Sequence, residues 1–63
     1  MANALSGWVA RDKDYMLHFF FTKPTRYEDL GEWASGGERY LIPGELSDIY
    51  WCDEPKRITL AVN

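Results

Sequence analysis

The chain has 63 residues, ten of them aromatic, and a formal net charge of −3 from ten acidic and seven basic side chains. This length allows one domain with a small core. One cysteine and one histidine exclude an internal disulfide or a four-ligand zinc site as the source of its stability. The mild acidity argues against phosphate binding as the main function, because nucleic-acid-binding domains are usually basic.

A β-hairpin is predicted first in the chain. Residues 7–11 and 15–22 are short, apolar and aromatic, which is typical of strands. The polar residues 12–14 between them predict a turn.

The register of this hairpin has two solutions. A two-residue loop at Lys13 and Asp14 sets Trp8 opposite Phe19, whereas a three-residue loop sets Val9 opposite Phe19 and reverses every face. We favour the two-residue loop, because it turns two polar side chains to water together: Arg11 and His18. The face that it buries carries Trp8, Ala10, Leu17, Phe19 and Phe21.

The middle of the chain lacks a strand pattern. Lys23 and Pro24 are predicted to end the second strand. Residues 25–28 have the form of a capping box, in which a threonine and a glutamate satisfy each other's backbone amides, and Gly31 follows at a suitable stop. We predict a loop or a single helical turn near residues 25–34, lying across an open side or edge of the sheet.

The remaining segments complete an all-β prediction. Residues 38–42, 49–52 and 57–62 are assigned as strands, and 45–48 as a loop or short helical turn. In the last strand three side chains are expected to point inward: Ile58, Leu60 and Val62. The predicted fold is a small antiparallel meander of four or five twisted strands, able to curl into a partial barrel, in one domain over residues 1–63. The alternative is α+β, with a helix in 25–34 or 44–50.

Catalytic chemistry is not indicated. His18 and Cys52 could form a nucleophile pair only if the fold brought them together, and no oxyanion-donor motif accompanies them. Asp12 and Asp14 resemble the start of a calcium loop but lack its glycine and its terminal glutamate. We predict a protein that is not an enzyme, with no catalytic residues, no metal and no cofactor.

Binding is the remaining class of function, and the middle segment offers residues for it. Aromatic and arginine side chains are typical of interaction hot spots. The candidate binding residues are Arg26, Tyr27, Trp33 and Arg39. Tyr27 and Trp33 either fold down over the sheet or stay exposed, and the sequence leaves both open.

Two hypotheses of function follow. The first is a non-enzymatic protein-binding module or small accessory protein, whose partner is another protein or a second copy of the chain. The alternative is a β-domain that binds single-stranded nucleic acid, with Tyr27, Trp33 and Tyr40 stacking on bases. The acidic net charge favours the protein partner.

No segment predicts export or a membrane anchor. Residues 1–5 lack a basic region followed by an apolar run, and the longest apolar run, around residues 19–21, is far too short to span a bilayer. With its free cysteine, the chain is expected in the cytoplasm without a membrane partner.

Four short motifs, spread over most of the chain, carry a resemblance. They are GWVARD at 7–12, LHFF at 17–20, Lys23-Pro24 with Arg26, and WCDEP at 51–55. With them the chain resembles a group of small uncharacterised proteins encoded by bacterial phages and mobile elements. The resemblance implies only a cytoplasmic accessory protein of prokaryotic or phage origin. That group has a glycine in the first hairpin turn where this chain has Tyr15, so a left-handed backbone there would be strained unless the turn is of another type.

Overall fold

The computed structural model describes the backbone of residues 3–62 and the side chains of residues 4–60. In chain order its elements are β1 (Asn3–Arg11), β2 (Leu17–Phe20), β3 (Thr25–Tyr27), β4 (Glu32–Ala34), β5 (Arg39–Ile42), a 3₁₀ helix (Gly44–Leu46) and β6 (Lys56–Val62). The predicted small all-β class is confirmed, and its one helical turn overlaps residues 45–48, where a loop or short helical turn was predicted.

Four of the strands form one antiparallel sheet in the order β5-β2-β1-β6. The outer strands β5 and β6 leave the sheet open, so the described chain does not close into a barrel. The other two strands, β3 and β4, form a separate hairpin. The central pair β1 and β2 therefore carries the core.

The favoured register of the first hairpin is wrong, and the three-residue alternative is found. Val9 pairs with Phe19, and Trp8 pairs with Phe20. The amide of Tyr15 donates to the Asp12 carbonyl at 3.0 Å, and Tyr15 takes a left-handed backbone with φ of 74°. This extra turn residue shifts the pairing by one position, which moves each β1 side chain to the opposite face.

The two faces of the sheet carry separate clusters of buried side chains. On the first face, Val9, Leu17 and Phe19 are buried, and four partly buried residues pack against them: Ile42, Ile49, Ile58 and Leu60. On the second face, Ala10 and Phe20 are buried beneath Trp33, with Trp8 and Trp51 beside them. Ile58 and Leu60 thus face inward as predicted, while the side chain of Val62 lies outside the described residues.

Arg11 and His18 were predicted to point to water together, and this prediction is wrong. They lie on opposite faces and are both partly buried. Arg11 donates four hydrogen bonds to backbone carbonyls, which belong to Tyr15, Gly44, Ser47 and Ile49. Phe21, which was expected in the core, is 50% exposed, because β2 ends at Phe20 and the chain bends away from the sheet.

The loop or helical turn predicted near residues 25–34 is instead the β3–β4 hairpin. Its turn is closed by the Gly31 amide, which donates to the Tyr27 carbonyl at 3.0 Å, and Gly31 has a φ of 68°. Strand pairing sets Arg26 opposite Trp33. A capping box stabilises a helix by only about 1 kcal/mol, whereas burial of an indole contributes more, so the extended conformation that buries Trp33 prevails.

The strand predicted at residues 49–52 is a loop. The Tyr50 amide donates to the Asp53 carboxylate at 2.7 Å, and the Asp53 amide donates back to the Tyr50 carbonyl at 3.0 Å, which closes a turn. The Ile49 carbonyl accepts a hydrogen bond from the Arg11 guanidinium at 2.6 Å. These bonds satisfy the backbone locally, so no ladder forms.

Candidate functional site

The uncovered end of the first face forms a concave surface, here called the apolar groove. It has a volume of about 330 Å³ and is lined by Leu5, Phe19, Phe21, Tyr40, Ile42 and Leu60. These side chains come from all four strands of the sheet and from the bend after β2. Only apolar and aromatic residues line it, so its occupant must offer an apolar surface.

Three aromatic rings and one glycine shape the apolar groove. Phe21 packs edge-on against Phe19 at 5.1 Å and against Tyr40 at 5.8 Å between ring centroids. The Phe19 ring lies over Gly7, where an added Cβ would fall about 2.5 Å from it. The Tyr40 hydroxyl donates to Glu38 at 3.0 Å, and this bond raises the pKa of Tyr40 above its ordinary value. The three rings are thus in mutual contact at the border of the groove.

A free backbone edge borders the apolar groove. The Asp12 amide donates to the Met16 carbonyl at 2.9 Å. Since peptide groups alternate in direction along an antiparallel pair, the even-numbered residues of β1 point toward β2. The β2 ladder ends opposite Trp8. The peptide groups of Ala4 and Ser6 therefore face no strand in the described part of the chain.

Exposed apolar side chains are numerous on this small domain. Among the described residues, ten large ones are more than a third exposed: Leu5, Tyr15, Met16, Phe21, Tyr27, Leu30, Tyr40, Leu41, Leu46 and Tyr50. Scattered exposed residues of this kind are normal on a protein surface. Leu5, Phe21 and Tyr40 are different, because they share one concave surface.

The second face carries an arginine held between two tryptophans. The Arg26 guanidinium lies 5.1 Å from the Trp33 ring centre and 5.3 Å from that of Trp51. Its Nε is buried and has no hydrogen-bond partner within the described residues. Its nearest acid, Glu28, is 3.7 Å away. A shallow cavity of about 460 Å³ opens beside it and also touches Lys23 and Glu54.

A second group of cations surrounds Trp8 on the same face. Lys23 lies 5.6 Å and Arg57 lies 5.4 Å from the Trp8 ring centre. Cations at these distances are attracted to the electron-rich ring face. The second face therefore combines aromatic rings with basic side chains, although Glu28 and Glu54 reduce its net charge.

Asp12 ties the β3–β4 hairpin to the sheet. This carboxylate is only 3% exposed. It accepts the Trp33 backbone amide and the Arg39 guanidinium, each at 3.0 Å, and His18 Nδ1 lies 3.3 Å from it. Burial lowers the pKa of His18 below its ordinary value, and this effect outweighs the opposing effect of Asp12. Burial therefore favours the uncharged form of His18 beside this carboxylate.

The four predicted binding residues have different environments. Trp33 is 4% exposed and donates its indole N–H to the Arg11 carbonyl at 3.0 Å. Arg26 stacks on it, and Arg39 is engaged with Asp12 and lies 3.7 Å from Glu32. Tyr27 is 44% exposed. The structure therefore brings Arg26 and Trp33 together and places Trp33 in the core.

The sequence interpretation missed the apolar groove. The signal for it is the run Phe19, Phe20 and Phe21. Side chains of a strand alternate between faces, so three consecutive aromatic residues cannot share one core, and one or more must pack on the second face or remain exposed. Phe20 is buried on the second face, and Phe21 borders the groove on the first.

The described residues hold neither a Cys–His contact nor a cluster of metal ligands. Cys52 is exposed, and no hydrogen bond or ion pair joins it to His18. Residues 3–62 contain no group of three or more histidine, cysteine or acidic side chains placed to hold a metal ion. Over the same residues, no helix has the length and apolar character needed to cross a membrane.

Comparison with known proteins adds no relative. No protein-family model, no curated protein and no solved structure matches this chain.

Proposed function

We propose that this protein is a non-enzymatic protein-binding module, a small accessory protein that takes up an extended segment of a partner in the apolar groove. The observation that carries the proposal is the position of the groove beside the free peptide groups of Ala4 and Ser6. A partner strand laid along this edge would gain backbone hydrogen bonds and insert an apolar side chain between Leu5 and Phe21.

In this mode of recognition, the backbone and the side chains of the bound segment have different roles. Main-chain hydrogen bonds to an open sheet edge give affinity, and pockets for alternate side chains give specificity. A volume of about 330 Å³ is at the small end of the range for ligand sites. It suits one large apolar side chain better than a whole cofactor.

The remaining parts of the proposal rest on the sequence. The resemblance of residues 7–12, 17–20 and 51–55 to small phage and mobile-element proteins supports a prokaryotic or phage origin. The exposed free thiol of Cys52 supports a cytoplasmic location.

Selection of peptides on the immobilised protein tests this function without a known partner. We expect a random peptide library to converge on sequences with apolar residues at alternate positions. Binding of these peptides should be lost in Phe21→Ser, which removes one wall of the apolar groove. Leu30→Ser is the matched control, since Leu30 is 67% exposed on the turn of the β3–β4 hairpin.

The control variant decides the result. If the selected peptides bind Phe21→Ser and Leu30→Ser equally well, the groove is not their site. If the library yields no enriched sequence on the wild-type protein, the proposed peptide-binding role is wrong. Far-ultraviolet circular dichroism of both variants shows that a loss of binding is not a loss of fold.

The second face supports a second candidate function, the binding of single-stranded nucleic acid. The observation that supports it is the position of two basic side chains, Lys23 and Arg57, beside the ring of Trp8. A base stacking on an aromatic ring contributes about 1–3 kcal/mol. Titration with an oligonucleotide at low salt should then quench tryptophan fluorescence, and added salt should reverse the effect. Unchanged fluorescence at low salt would eliminate this candidate.

A further inference from the structure

The outer edge of β6 is long, and its two charged residues, Lys56 and Arg57, stand at its first two positions. β6 spans seven residues, Lys56–Val62, and forms one end of the sheet. Natural sheet edges are usually short, or are blocked by proline, a bulge or charges. The other edge strand, β5, has four residues and is followed by Pro43. β6 likewise adjoins a proline, Pro55, but it is longer, and its residues 58–62 carry no charge, so this part of its edge remains open to pairing.

The outward peptide groups of β6 can be assigned from the pairing. The odd-numbered residues of β1 direct their peptide groups toward β6, because the even-numbered ones face β2. Their partners in β6 are even-numbered, for example Ile58 opposite Gly7. The N–H and C=O groups of Arg57, Thr59 and Ala61 therefore point away from the sheet.

We propose that two copies of this chain associate by pairing β6 with β6 in antiparallel orientation, about a two-fold axis at Thr59. Thr59 is the middle residue of β6 and one of the three whose peptide groups face outward. This register pairs all seven residues of the strand, and registers centred on other residues pair fewer. The product is one continuous eight-stranded sheet.

Side-chain chemistry favours the same register. Ile58 is set opposite Leu60 of the second copy on the first face, which extends the apolar surface beside the groove across both copies. Lys56 is set opposite Val62, and Arg57 opposite Ala61, so the basic residues of the two copies lie at opposite ends. A register centred on Arg57 would instead place like charges directly opposite each other, which destabilises a strand pair.

Sedimentation or light scattering across dilution, from about 1 μM to 1 mM protein, tests this dimer. The mean mass of the wild-type protein should rise with concentration from 7.3 kDa toward twice that value. Thr59→Lys should weaken the dimer on the order of tenfold or more, because it sets two positive charges opposite each other at the axis. Thr22→Lys adds the same charge at an exposed residue outside the strands and should leave dimerisation unchanged.

Two outcomes would overturn the proposal. A monomer at every concentration means that the β6 edge does not pair, and a dimer that Thr59→Lys leaves intact means that the copies meet elsewhere. The proposal is independent of the apolar groove. Thr59→Lys should still bind the selected peptides, and Phe21→Ser should still dimerise, so the two proposals fail separately.

Disulfide trapping tests the register itself, in a Cys52→Ser background that removes the exposed native thiol. Opposite residues of a hydrogen-bonded antiparallel pair have Cα atoms about 5.5 Å apart, within the range that a disulfide bridges. Thr59→Cys should therefore form a covalent dimer under mild oxidation, and Arg57→Cys should not. Trapping at position 57 but not at 59 would disprove this register.

Discussion

The Asp12 carboxylate shows how one buried side chain organises the surrounding residues. It accepts the Trp33 amide from the β3–β4 hairpin and the Arg39 guanidinium from β5. Both bonds are made to a carboxylate that is 3% exposed, where leaving a donor unpaired costs about 1–3 kcal/mol. His18 occupies the third position around it, and its protonation state follows from competition between burial and this neighbour.

Acidification is expected to destabilise the fold through His18. Its pKa is lowered in the folded protein, mainly by burial, whereas the unfolded chain keeps the ordinary value of 6.5. Between these two pKa values the unfolded chain binds more protons, so the free energy of unfolding falls as pH falls below about 6.5. The slope from one group cannot exceed about 1.4 kcal/mol per pH unit. Urea unfolding between about pH 5 and 7.5 measures it.

The matched variant for this measurement is His18→Gln, which keeps a polar side chain but does not titrate. Subtracting its curve from that of the wild-type protein removes the contribution of the carboxylates. A wild-type protein that gains stability on acidification, relative to His18→Gln, would mean that Asp12 holds a charged imidazolium. That result would contradict the dominance of burial at this site.

At the scale of elements, the turn of the first hairpin fixes both faces of the sheet. Tyr15 adopts a φ of 74°, a conformation that costs a residue with a Cβ about 1 kcal/mol or more. Its side chain is 78% exposed, so little packing offsets this strain. The turn persists because the register that it sets buries Val9 and Phe20 on opposite faces.

Replacing Tyr15 with glycine should therefore stabilise the protein. We expect Tyr15→Gly to raise the free energy of unfolding by about 0.5–1 kcal/mol, because glycine adopts the left-handed conformation without strain. Tyr15→Ala is the control, since it removes the same exposed ring but keeps the Cβ. Thermal unfolding that shows Tyr15→Gly to be no more stable than Tyr15→Ala would contradict a strained turn.

Sequence patterns predicted the elements with local signals and missed those that depend on distant contacts. The strands β1, β2, β5 and β6 overlap predicted strands, because their apolar and β-branched residues are distinctive. The hairpin register was missed because the left-handed residue is a tyrosine. The β3–β4 hairpin was missed because its strands are three residues long and depend on burial of Trp33. The loop at residues 49–52 depends on Arg11, which is 38 positions away from Ile49 in the sequence.

The candidate site was predictable only in part for the same reason. Aromatic and arginine composition pointed to Arg26 and Trp33, and they do lie in contact. This contact is part of the core and not of a binding surface, because Trp33 is buried. The apolar groove needs the correct register and the bend at Phe21 before its walls come together, and neither follows from composition.

At the scale of the whole molecule, stability depends on two segments that pack over the two faces of one small sheet. The segment between β5 and β6 covers part of the first face, where Arg11 anchors it. The β3–β4 hairpin covers the second face, where Trp33 enters the core. A domain of this size has only about 3–5 kcal/mol of net stability. Loss of either covering segment would therefore remove a large fraction of this net stability.

Trp33→Ala should consequently unfold the whole domain rather than expose one surface. Truncation of a buried tryptophan costs about 3–5 kcal/mol, which equals the expected stability, and the indole N–H bond to Arg11 is lost as well. We expect far-ultraviolet circular dichroism at 25 °C to show mostly unfolded chain. Leu30→Ala, on the exposed turn of the same hairpin, should remain folded. If Trp33→Ala instead kept the four-stranded sheet and released only the hairpin, the two faces would be energetically separate, and the sheet would be stable with its second face uncovered.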